Sequence, residues 1–219
     1  MLALWKHFRE GGWGMYPILF WSVLTTGIIL ERAIYLYGAS INKEVFISTL
    51  QSCILAGDIS KAIKLCAAAD APLARIVQAG LTKVNRPDEE VQAAMDEAAL
   101  REMPLISKRT GFLALLANLA MLSGLLGTVT GLITSFGAVS GENVDPGAKA
   151  RILAEGISEA MNCTAFGLIV AITGLIGFAL LNSKSQGIED DIHEATVRIL
   201  NLVVTNRQRI NVASLPVTH

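Results

Sequence analysis

The stretch TGFLALLANLAMLSGLLGTVTGLITSFGAVSG, from Thr110 to Gly141, holds 32 residues and no Asp, Glu, Lys, Arg or His. As a helix rising about 1.5 Å per residue it extends about 48 Å, more than the roughly 30 Å of hydrocarbon that a membrane span must cross. Asn118, Ser123, Thr128, Thr130, Thr134 and Ser135 lie among its leucines and glycines. Lipid offers hydroxyls and bare backbone no partners, so such a span is expected to face other helices or a pore.

Two further uncharged runs, Gly11 to Leu30 and Ala160 to Ser183, have 20 and 24 residues. The reading is therefore an all-α membrane protein with three transmembrane helices over 15–36, 111–139 and 153–183. A 52% apolar content and a mean hydropathy of +0.49 suit a chain that is part bilayer and part polar. The net charge of −1, with no basic tract, gives nucleic acid no footprint. Lys6 and Arg9 precede the first run as in a signal peptide. That run is about twice as long as a signal core and ends in Glu31-Arg32 without a cleavage pattern, so it is expected to be retained.

Lys and Arg counts give the orientation. With the N-terminus outside, the outer side carries Lys6, Arg9, Lys149 and Arg151 and the inner side the other fourteen of the 18. The insert 37–110 and the tail 184–219 are then cytoplasmic, and residues 140–152 form a periplasmic turn. Cys53, Cys66 and Cys163 are an odd set, and His7, His193 and His219 are scattered. Neither a disulfide framework nor a metal site is expected, and no cofactor.

Residues 1–14 read as an amphipathic interfacial helix, with Leu2, Leu4, Trp5, Phe8 and Trp13 around Lys6, His7 and Arg9. Trp5, Trp13, Tyr16 and Trp21 suit the headgroup level. The insert is punctuated as a small helical bundle. Gly57-Asp58 closes one helix and caps the next, Ala71-Pro72 starts another, and Arg86-Pro87-Asp88-Glu89-Glu90 is a helix start with acids on the positive end of the dipole. From Pro87 no stop is visible before the second span, and Pro104 is expected to kink that helix. Ile188, Ile192, Ala195, Ile199 and Leu202 recur at helical spacing, so the tail is expected to pack on the insert as an amphipathic helix.

On the second span Gly124, Thr128, Gly131 and Ser135 share one face, with Gly127 beside them. On the third, Ala160, Thr164, Gly167, Ala171 and Gly174 do the same. Small residues let helices approach, and a Thr hydroxyl can simply bond the carbonyl four residues back. The alternative reading is a hydroxyl ring of Thr128 and Thr164 beside a proton path. Glu155 and Glu159 lie one turn apart before the third apolar run. A carboxylate at the bilayer centre costs roughly 2.5–3.5 kcal/mol, so Glu159 near the mouth of a span is a functional candidate. Neither the second nor the third span has a carboxylate or His at its centre. A proton-driven machine built from this chain needs a partner. No nucleophile with a base, phosphate loop or metal cluster points to an enzyme.

These residues carry a resemblance to the MotA/TolQ/ExbB proton-channel family, nearest its ExbB/TolQ-like branch. Gly12 with Met15-Tyr16-Pro17-Ile18 and Glu31-Arg32 is similar to that branch's first span, and Gly57-Asp58 through Leu65-Cys66, Pro72-Leu73-Ala74 and Ala79-Gly80-Leu81 to its insert. Ala117-Asn118-Leu119-Ala120, Gly124-Leu125-Leu126-Gly127-Thr128-Val129 and Gly131-Leu132-Ile133 resemble the second span. Glu155-Gly156-Ile157-Ser158-Glu159-Ala160, Thr164-Ala165 and Gly167-Leu168 resemble the third. The chain departs at Met121, where Pro or Thr is common, and at Ser123, where Leu is usual. The resemblance implies a ring, five subunits in the family, around two single-span ExbD/TolR-like chains in a bacterial inner membrane. A partner Asp would carry the proton past Thr128 and Thr164, with Glu159 near the path. Proton motive force would become mechanical work for outer-membrane transport, envelope maintenance or gliding. The competing expectations are a non-conducting membrane scaffold, which the small-residue faces allow, and a solute transporter, which the lack of internal repeats disfavours.

Overall fold

The structure is a computed structural model that describes residues 12–140 and 145–206. The interfacial helix expected over 1–14 lies outside the described residues except for 12–14, which form a turn, and the tail beyond Asn206 lies outside them as well. The described residues form seven helices and no strand: α1 Met15–Ala39, α2 Lys43–Leu55, α3 Ile59–Ala68, α4 Pro72–Thr82, α5 Asp88–Ser107, α6 Thr110–Val139 and α7 Pro146–Thr205. Three helical stretches are long and apolar enough to cross a membrane, one in each of Met15–Leu55, Asp88–Val139 and Pro146–Thr205.

The chain divides into two compact units. The first contains α1 to Arg32, α6, and α7 to Leu181. Its core is Met15, Ile18, Ala120, Cys163 and Val170, with Trp21 and Phe166 packed against it. Leu19, Phe20 and Val23 of α1, Leu122, Leu125 and Val129 of α6, and Ile169, Ile172 and Ile176 of α7 are exposed. That is a surface for hydrocarbon rather than water. Pro17 falls in the first turn of α1, where its missing N–H has no intrahelical partner to lose.

The second unit holds Ala33–Lys108 and the chain from Asn182 onward. Its helix starts follow the punctuation of the sequence. Asn42 accepts from Val45 N at 3.3 Å, and Asp58 accepts from Lys61 N at 3.0 Å. Gly57, at φ 77°, takes the left-handed turn between α2 and α3. Pro72 opens α4, and Asp88, Glu89 and Glu90 occupy the first turn of α5. The core is Ile47, Leu50, Ile54, Ile59, Ile76, Val77, Leu81, Val91 and Met95, with Ile188, Ile192, Ala195 and Ile199 of α7 buried in the same unit. Val203 rather than Leu202 completes that α7 face: Val203 is buried and Leu202 only partly so. A Cβ on Gly80 would fall 2.4 Å from Met95 Cγ, so α4 and α5 meet closely there.

Three boundaries differ from the sequence expectation. A stop does precede the second span: α5 ends at Ser107 and Arg109 adopts the left-handed conformation at φ 64°. Pro104 stays inside α5, and the chain resets beyond it, with Arg109 Nη1 2.7 Å from Glu31 Oε1. Residues 146–152, expected within a turn over 140–152, are helical, because α7 starts at Pro146. Asp145 caps it, accepting from Gly147 N at 3.0 Å and Ala148 N at 3.3 Å. Finally, α7 runs through Ser183 and Lys184 without interruption, so third span and tail are one helix.

Candidate functional site

The small residues of α6 and α7 form a close helix crossing. A Cβ built on Gly167 would lie 2.9 Å from the Ala120 carbonyl oxygen and 3.0 Å from Gly124 Cα, and one on Gly124 would lie 3.0 Å from the Cys163 carbonyl oxygen. Gly127 sits against Cys163, Gly131 against Ala160, and Gly174 against Ala117 and Thr25. Ala160 and Ala171 are buried. Toward the α7 start, Ser135 Oγ donates to Gly131 O at 2.7 Å and occupies the space that a side chain at Gly156 would need. Backbones this close are typical of spans that associate by packing and not by exclusion of water.

The crossing brings Thr128 and Thr164 together. Thr128 Oγ1 donates to Gly124 O at 2.9 Å, Thr164 Oγ1 lies 3.4 Å from the same carbonyl, and the two hydroxyls hydrogen-bond each other. The bond to the carbonyl four residues back and the hydroxyl pair, separate readings of the sequence, coexist. A hydroxyl has one proton and two lone pairs. When one of the pair donates to Gly124 O and the other donates to it, lone pairs remain for an outside donor. Rotating one hydroxyl instead presents a proton to an outside acceptor. The pair can therefore serve a carboxyl group in either protonation state without itself titrating.

Glu159 is not part of that pair. Five residues before Thr164, it points about 140° away around α7 at roughly 100° per residue. Among the described residues it makes no hydrogen bond to either hydroxyl. Its carboxylate lies against the turn ahead of α1, where a Cβ on Gly12 would fall 1.6 Å from Oε1. Glu155 is exposed, and Arg151, one turn earlier, donates Nε to Oε1 at 2.8 Å. Among the described residues no cluster of His, Cys, Asp and Glu could hold a metal ion.

The part that α1 plays was not readable from composition. Gly14 touches both other spans, since its Cβ would lie 3.1 Å from Cys163 Sγ and 3.2 Å from Gly127 Cα. Trp21, expected at the headgroups, instead donates Nε1 to Ser123 Oγ on α6 at 3.0 Å. Ser123 was itself the clue: a hydroxyl in a leucine's place needs a donor or acceptor nearby.

The profile of the MotA/TolQ/ExbB proton channel family matches residues 68–194, which include α4 and α5 of the insert, α6 and the crossing on α7. The biopolymer transport protein ExbB-like 3 of Synechocystis sp. is 30% identical over 166 residues, covering 76% of this chain and 79% of that protein. ExbB-like 1 of the same organism is 30% identical over 185 residues, 82% of this chain and 71% of the relative. The Tol-Pal system protein TolQ of Haemophilus influenzae is 37% identical over 98 residues, 45% of this chain and 42% of TolQ. With three apolar helices and these matches along most of its length, the chain is a membrane protein that belongs to the MotA/TolQ/ExbB proton channel family, on its ExbB/TolQ-like branch.

Proposed function

We propose that this chain is the proton-conducting subunit of a bacterial inner-membrane complex that converts proton motive force into mechanical work. The observation that carries this reading is the Thr128–Thr164 pair on one carbonyl, set in a seam without Asp, Glu, His, Lys or Arg. A hydroxyl pair that can accept from a carboxyl and donate to a carboxylate, but cannot itself titrate, is suited to a carrier brought by another chain. The carrier is the Asp of a single-span ExbD/TolR-like partner, two copies of which stand inside a ring of five of these subunits. A protonated carboxyl is neutral and crosses at low cost, whereas its ionised form needs the donors that the hydroxyls supply.

The N-terminus lies on the periplasmic side and the C-terminus on the cytoplasmic side, in line with the Lys and Arg distribution. Relatives named for biopolymer transport and for the Tol-Pal system favour energising of outer-membrane transport or envelope maintenance as the load. Gliding remains the third load to test. The chain does no covalent chemistry of its own in this reading.

The test is proton influx into vesicles holding the chain with its partner, under an imposed gradient. Thr128→Val and Thr164→Val keep shape and remove the hydroxyls. The double variant should assemble normally and lose influx by about tenfold or more, the rate equivalent of one lost hydrogen bond of roughly 1.4 kcal/mol. Full influx from a well-assembled double variant sinks the assignment. No influx from any verified complex, even after the partner's periplasmic segment is removed, favours a scaffold.

A further inference from the structure

Gly12 and Gly14 lie along one face of α7 over a single helical turn. A Cβ on Gly12 would fall 1.6 Å from Glu159 Oε1 and 2.6 Å from its Cδ, and one on Gly14 would fall 3.1 Å from Cys163 Sγ. Two residues of chain reach at most about 7 Å, and the four residues from Glu159 to Cys163 rise about 6 Å, so the lengths match. Gly14 also meets Gly127 of α6 at 3.2 Å, which anchors the turn on the second span. Cys163 beneath it is 1% exposed.

We infer that Gly12 is a positioning residue for Glu159: its lack of a side chain leaves the turn ahead of α1 room for the Glu159 carboxylate, and Gly12 with Gly14 closes over Cys163 at the head of the α6–α7 seam. The backbone alone does not explain the glycine. At φ +59° Gly12 is in the left-handed region, but Asn enters that region readily. An Asn Cβ would, however, fall in the space that the Glu159 carboxylate fills. A side chain at 12 therefore has to expel the carboxylate or lift the turn. Either outcome changes how Glu159 is presented and how well Cys163 is covered. The inference rests on the proton reading only for the role it gives Glu159, and its geometric content is independent of that reading.

The test compares Gly12→Asn, Glu159→Ala and the double variant, in the full chain reconstituted in lipid vesicles. The readout is alkylation of Cys163 by a charged, water-soluble maleimide, resolved from the other two cysteines by peptide mass. Gly12→Asn should raise the Cys163 rate about tenfold, as expected when local opening becomes easier. On the Glu159→Ala background the same substitution should change it less than about twofold, because the Asn Cβ then has the vacated space. Should Glu159→Ala not assemble, Glu159→Asp, which draws the carboxylate back by one methylene, takes its place with the same expectation. An equal fold-increase on both backgrounds, or no increase on either, overturns the inference. Proton influx with the partner present reports separately. If the labelling is coupled but Glu159→Ala conducts like the unsubstituted chain, the proton role of Glu159 fails while Gly12 still positions it.

Discussion

Gly124 and Gly167 approach so closely that the contact is backbone on backbone, and backbone cannot turn aside as a side chain can. Gly167→Ala places a methyl 2.9 Å from a carbonyl oxygen and 3.0 Å from a Cα, so α6 and α7 have to separate. The expected loss is roughly 1–3 kcal/mol of stability, the usual range for overpacking a filled core. Thermal unfolding in detergent measures it. Gly27→Ala on α1, where a Cβ meets nothing within 4 Å, serves as the control and should leave stability unchanged or raise it. Since Ala favours a helix more than Gly does, equal losses from the two would mean that the crossing does not set the cost. At this scale the sequence was informative about residue type and spacing: the small faces and the two threonines follow from a period of three and four. It did not give the contacts of Gly12, Gly14 and Trp21, and put Trp21 at the headgroups, because their partners on α6 and α7 lie more than a hundred residues away and depend on how α1 docks.

α3, α4 and α5 begin where a cap, a Pro or an acidic run predicts them, because these signals act through backbone groups of the next three residues. The stop before α6 is not legible in the sequence because Lys108-Arg109 carries no such signal, although Arg109 adopts φ 64°. A non-Gly residue there costs about 1–2 kcal/mol, and the ion pair with the half-exposed Glu31 returns about 0–1 kcal/mol. Arg109→Gly should therefore raise the unfolding temperature slightly, whereas Glu31→Gln should lower it slightly. A marked loss from Arg109→Gly would show that the guanidinium matters more than the strain. The pairing of α2 with α7 gives a pH-dependent counterpart. Lys43 Nζ lies 2.7 Å from Asp191 and 2.8 Å from Glu194, and its hydrogen bonds to Asp191 first and Glu194 second raise its pKa above the ordinary 10.5. A Lys with a raised folded value stabilises fully below its unfolded value and loses that contribution as pH rises through the folded one. Lys43→Met should lower the melting temperature at pH 7, and the gap should close progressively above about pH 10.5. A gap that persists unchanged at alkaline pH would assign the effect to packing of the lysine stem.

On the scale of the whole molecule, three apolar spans and a polar helical bundle were legible as separate layers because burial in lipid and burial in water-facing bundles leave different periodicities. What a single chain does not display is a carboxylate or a basic side chain inside the seam: Thr110 to Gly141 and Ala160 to Ser183 contain no Asp, Glu, His, Lys or Arg, and the one thiol there, Cys163, is buried. The nearest carboxylate, Glu159, faces the Gly12 turn and not the hydroxyl pair. A proton crossing this seam without a carrier would have to pass as a bare charge, at a cost of several kcal/mol near the bilayer centre. The gradient supplies only about 2.3 kcal/mol per charge per 100 mV, so the unaided route is closed at physiological potentials. The chain reconstituted alone should therefore show proton influx no higher than empty vesicles. Adding a single-span partner with a mid-membrane Asp should open the path, and Asp→Asn in that partner should close it again without dissociating the complex. Influx from the chain alone would place the carrier within this subunit and direct attention to Glu159.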